Sequence, residues 1–137
     1  MSRACFLDTS AWLAAVSERE ARHHAVLACY ERELQEGTRF VTTNLVIAEM
    51  HILIARHRSA RDALRFVDTV RQDPTHTVFY VDADLQREAV DRWLRPYTDH
   101  RFSLADAVSF EVMRREGLTV AFALDRHFVT AGFELVP

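Results

Sequence analysis

The strongest constraint on the fold is a set of short, almost wholly apolar runs spaced widely along the chain. Ala4-Cys5-Phe6-Leu7, Phe40-Val41-Thr42-Thr43, Thr77-Val78-Phe79-Tyr80-Val81 and Thr119-Val120-Ala121-Phe122-Ala123-Leu124 all have strand length. Phe133-Glu134-Leu135-Val136 is a fifth, shorter candidate. Strands without a polar face are covered on both sides, as in parallel sheets. Helix-length segments separate the runs, as parallel crossovers require. The alternation predicts a three-layer α/β/α sandwich around a central, mainly parallel sheet of four to five strands, forming one domain over residues 1–137.

Helix boundaries follow from capping chemistry. Thr9 and Ser10 are placed to cap a helix through Val16, and Glu18 to Glu36 reads as an amphipathic helix closed by Gly37. Asn44 is expected to cap an unusually apolar helix, Leu45 to His57, and Ser59 another through Val70. Asp73-Pro74 breaks the chain, Asp84 to Leu94 resumes helix, and Ser103 to Glu116 ends at Gly117. Trp12, Phe66 and Phe110 fall at core spacing, whereas His23 and His24 read as a solvated polar face.

Composition removes several chemistries. All 17 basic residues are arginine. Without lysine there is no Walker-type phosphate loop, Schiff base or kinase-like site. Three glycines are too few for a dinucleotide loop. Cys5 and Cys29 lie in apolar stretches and read as reduced core residues. No run approaches the ~20 apolar residues of a membrane span. A soluble, cytoplasmic protein is the expectation.

Ligands of parallel α/β sheets bind beyond the carboxyl ends of the strands. Asp8 and Asp125 each follow a strand candidate directly, a position that aspartate also takes as a loop starter. Glu49 has Leu45, Val46, Ile52 and Leu53 as helical neighbours, so its carboxylate is expected to be buried, beside a cation or at a cleft. The alternatives are a salt bridge to arginine, or a register that lets it reach the rim. Asp106 has two readings that stay open: the acid of a capping box with Ser103, or a carboxylate turned toward the protein body among Leu104, Ala107 and Phe110. Converging on one sheet edge, four carboxylates would repel one another unless divalent cations neutralised them. Oxygen-only ligands favour Mg²⁺ or Mn²⁺ over zinc.

Asp8-Thr9-Ser10, Ile47-Ala48-Glu49, Ser103-Leu104-Ala105-Asp106-Ala107 and Leu124-Asp125-Arg126-His127-Phe128 stand in the order of a PIN domain. The resemblance covers essentially the whole chain and is nearest to VapC-like toxins. It implies that Asp8, Glu49, Asp106 and Asp125 form a catalytic Mg²⁺/Mn²⁺ site, with Thr9, Ser10 and Asn44 as supporting polar groups. It further implies RNA hydrolysis by two-metal-type water activation, inhibition by a cognate antitoxin, and a homodimer. Arg126, next to Asp125, is the preferred contact for a substrate phosphate. Arg56, Arg58 and Arg61 read first as a solvated helix end, His127 as surface, and Asp99 as loop.

A catalytically silent PIN-like module binding RNA or protein is the second reading, and four clustered acids count against it. A phosphatase using Asp8 as nucleophile ranks lower, because position 10 is Ser10 rather than a second aspartate. The net charge of −3 hides this distribution: the four acids alone carry −4, leaving the remaining chain at +1.

Overall fold

All five apolar runs form strands in the computed structural model, which describes residues 3–137. They are β1 (Ala4–Leu7), β2 (Arg39–Thr43), β3 (His76–Phe79), β4 (Val120–Phe122) and β5 (Glu134–Val136). Their order is β3-β2-β1-β4-β5, and every neighbouring pair is parallel. The chain therefore moves outward from β1 to β3, then returns to the other side of β1 with β4. That reversal makes the carboxyl ends of β1 and β4 the topological switch point, where such sheets bind ligands.

Seven helices join the strands: α1 (Thr9–Val16), α2 (His23–Gln35), α3 (Asn44–His57), α4 (Ala60–Gln72), α5 (Ala83–Ala89), α6 (Leu104–Glu116) and α7 (His127–Thr130). A π-helical turn, Val90–Leu94, and a 3₁₀ turn, Arg95–Tyr97, continue α5. Helices α1 to α4 pack among themselves, as do α5 to α7. Right-handed crossovers put the two groups on opposite faces, completing the three layers.

Each face has its own aromatic core. Phe40 and Phe122 meet Tyr30 of α2, with ring centroids 5.0 and 5.7 Å apart. Phe6, one residue out of phase with Cys5 and Leu7, meets Phe128 at 6.1 Å on the other face. Phe110 of α6 touches Phe128 and Phe102 edge-on at 5.1 Å. Trp12, against Phe66 at 4.9 Å, is core as expected, and so is Phe110. Cys5 and Cys29 are buried and not joined in a disulfide. Among the described residues no helix is long and apolar enough to cross a membrane.

Several boundaries differ from the sequence expectation. Asp8, not Thr9 or Ser10, caps α1, and Thr43, not Asn44, caps α3. Asn44 enters the helix, and its Oδ1 accepts instead from Val81 N at 2.9 Å. Helix α2 begins at His23, because residues 17–22 turn; its first side chain is buried, with Nδ1 2.8 Å from Ala14 O. His23 is thus a packed group rather than a solvated one. Gly117 does close α6, at φ 68°, the left-handed conformation that glycine adopts without strain.

Phe110→Ala is expected to cost about 3–5 kcal/mol through the cavity it leaves. Tyr80→Ala, at a side chain 71% exposed, should stay within about 0.5 kcal/mol. Urea denaturation compares them, and equal losses would contradict this core assignment.

Candidate active site

The switch point is held shut by hydrogen bonds between distant parts of the chain. Asp8 N donates to Phe122 O at 3.1 Å, extending the β1–β4 pairing. Asp8 Oδ2 accepts from Ser10 N at 3.3 Å and from Ser10 Oγ at 2.7 Å. The same Ser10 oxygen accepts from Leu124 N at 2.9 Å. One hydroxyl thereby ties the first acid to the residue preceding the last.

The four acids line a single open cavity of about 440 Å³. Asp8 comes from the end of β1, Glu49 from α3, Asp106 from the first turn of α6, and Asp125 from the loop after β4. Thr9 and Ser10 line it too, but Asn44 and Arg126 do not. Arg126 is exposed at the start of α7. Asp99 is exposed in the loop after the 3₁₀ turn and also lies outside the lining. The cationic groups in the wall are Arg101 and His127. Sequence adjacency had favoured Arg126 over Arg101, which sits in a polar loop without periodicity.

Glu49 is not buried. The inward side of α3 is Val46, Met50 and Ile54, while Glu49 and even Ile52, 43% exposed, face outward. The cavity wall still desolvates its carboxylate, raising its pKa; the Thr9 hydroxyl opposes this and the charge of Asp106 adds to it. Asp106 satisfies both of its readings. It accepts from Ser103 N at 3.0 Å as the capping-box acid, and the same Oδ2 lies 2.9 Å from His127 Nδ1. Bonding to Asp106 raises the His127 pKa, with Asp125 contributing its charge. Asp125 Oδ1 accepts from His127 N at 2.9 Å and lies 3.5 Å from its ring Nδ1.

Asp8 shows most clearly what the crowding costs. Burial pushes its pKa up to about 6, the bonds from Ser10 oppose this, and the charge of Asp106 reinforces it. A site that raises carboxyl pKa values in this way favours cation binding, because a cation restores the ionised form. Ligand atoms of Asp106, Asp125 and His127 lie within 4.8 Å of one another. Thr9 Oγ1, in the same wall, is buried and makes no well-formed hydrogen bond, its nearest polar influence being on the Glu49 carboxylate. The donors are predominantly oxygen, so they fit Mg²⁺ or Mn²⁺ better than zinc.

The comparisons with known proteins fall in line with this geometry. The PIN domain family profile matches residues 5–134. The 23S rRNA-specific endonuclease VapC20 of Mycobacterium tuberculosis is 33% identical over 128 residues, spanning 93% of this chain and 94% of that protein. The crystal structure of VapC20, a Sarcin-Ricin loop cleaving toxin, superposes with a TM-score of 0.83 at 32% identity, covering 94% of this chain and 95% of the other. VapBC2 from Rickettsia felis, bound to a promoter DNA fragment, shares the fold at 11% identity with a TM-score of 0.68, covering 97% of both chains.

The Asp8 shift carries a pH signature. Unfolded, the residue ionises near 3.8; folded, it keeps its proton to about 6. Between those values the folded chain binds the extra proton, so this group's stabilising contribution is full below about pH 4 and lost as pH rises through about 6. The change is on the order of 2–3 kcal/mol. Asp8→Asn removes it. In chelator, the variant's stability advantage over the parent should therefore grow from pH 4 to pH 7, and a pH-independent difference in urea denaturation would refute the assignment.

Proposed function

The chain belongs to the PIN domain family, and from that premise we propose that it is a divalent-metal-dependent endoribonuclease, the toxin of a toxin–antitoxin pair. The observation that carries this is the convergence of four acids, from four separate segments, on one cavity at the switch point. The kinship to a 23S rRNA-specific endonuclease supports RNA as substrate, with the whole chain as one catalytic unit. Such a substrate puts its work in the cytoplasm. A cognate antitoxin and a homodimer are part of the same reading.

Asp8, Glu49, Asp106 and Asp125 would hold Mg²⁺ or Mn²⁺. Held there, such an ion would supply an acidified water and charge stabilisation at a phosphodiester. Ser10 orients Asp8 and fixes its distance from the β4 end. Ser103 and His127 orient Asp106. Thr9 places its hydroxyl in the cavity wall beside Glu49. Arg101 supplies a guanidinium suited to a phosphate oxygen, a role for which Arg126 is less well placed.

A silent binding module has no comparable support, since it has no need of four concentrated acids. Purified protein should cut RNA in Mg²⁺ or Mn²⁺ and stop in chelator; cutting that persists in chelator would sink the metal claim. Asp8→Asn and Asp125→Asn should each remain folded and lose on the order of 100-fold or more in cleavage rate. Parental rates in either variant would remove that acid from the mechanism.

A further inference from the structure

Immediately beside the acid-lined cavity lies a second, smaller one of about 100 Å³, lined by Trp93, Tyr97, His100, Phe102, Thr130 and Ala131. Its aromatic rings form a ladder that leads into the site. Centroids are 5.7 Å apart from Tyr97 to His100, 5.1 Å from His100 to Phe102, and 5.5 Å from Phe102 to His127. Tyr97, at 43%, and His100 are exposed at the outer end. One loop serves both cavities: Arg101 and Ser103 line the first, and Phe102 between them lines the second and meets His127 of the first. No carboxylate lines the smaller cavity.

Exposed rings next to a phosphate-handling pocket match the chemistry of single-stranded RNA, whose unstacked bases pack on aromatic side chains. A phosphate and its neighbouring base are adjacent on the strand, as these cavities are adjacent across one residue. Arg101 is exposed and lines the acid-lined cavity, where its guanidinium can meet the strand's backbone. We propose that the Tyr97–His100–Phe102 cavity is a nucleobase subsite, holding by stacking the base next to the phosphodiester in the acid-lined cavity. The proposal rests on the ribonuclease reading above.

The test uses Asp125→Asn in Mg²⁺, with a short oligoadenylate and an abasic ribose-phosphate chain of the same length as probes. Trp93 lines the subsite and Trp12 is buried in the core, so tryptophan fluorescence reports binding. Oligoadenylate should bind about 5- to 100-fold more tightly than the abasic chain. Adding Tyr97→Ala and His100→Ala should abolish that preference while leaving abasic affinity unchanged; Tyr97→Phe should retain it. Arg101→Ala should weaken both probes alike. If the base preference survives loss of both rings, the subsite is wrong, and the cavity serves something else, such as an apolar side chain of a partner protein. Cleavage by the parent protein is scored separately. RNA cutting with a ring-independent preference overturns the subsite and spares the ribonuclease; a ring-dependent preference without cutting does the reverse. Binding of neither probe overturns the subsite, and the ribonuclease reading then stands or falls on parental cleavage alone.

Discussion

The seam between β1 and β4 determines whether there is a site at all. It consists of two strands adjacent in space but more than a hundred residues apart in sequence. Ser10 spans it, donating to Asp8 and accepting from Leu124 N through one oxygen. Backbone pairing at Asp8 N sets the strand register, and the hydroxyl sets where the two acids stand relative to each other. The flanking aromatic cores, Phe40 with Phe122 on one face and Phe6 with Phe128 on the other, press the seam from both sides. Hydrophobic packing supplies the stability; the directional bonds supply the placement.

The cavity at that seam is electrostatically expensive, and the protein manages it by sharing. Asp106 serves the helix terminus and the cavity with the same oxygen, so the dipole of α6 offsets part of its charge. His127 lies against two of the carboxylates. Asp8 instead keeps its proton to a higher pH. Buried acids elsewhere are treated differently. Glu111, wholly buried, is met by Trp93, Arg92, Arg114 and Arg115, and its pKa falls. The contrast separates a carboxylate neutralised by three arginines from carboxylates that, among the described residues, only a histidine and an arginine face.

Much of this was legible in the sequence, for identifiable reasons. The parallel sheet followed from strands with no polar face, and Asp8 and Asp125 from their places directly after such strands. Glu49 reached the cavity by the rim, because α3 is apolar on more than one side; helical neighbours three and four positions away could not show which side faced in. Arg101 was hidden for the opposite reason, and His127, two residues after Asp125, read first as surface. Their importance arises from a loop and a short helix folding back over the switch point, which no local pattern encodes. His23 was misjudged because a turn at residues 17–22 delays the start of α2 and resets its phase.

The position of β4 also has a consequence for the order of events during synthesis. A chain emerging from the ribosome exposes β1, β2 and β3 first, and these can pair in the order in which they appear. The free edge of β1, where Asp8 stands, waits for β4, which is made after all three of them. Until that strand arrives, Asp125 is absent, Ser10 lacks its second partner, and the aromatic cover from Phe128 is missing. Assembly of the cavity thus waits for β4 and the residues just after it, and no pairing among the three earlier strands completes it.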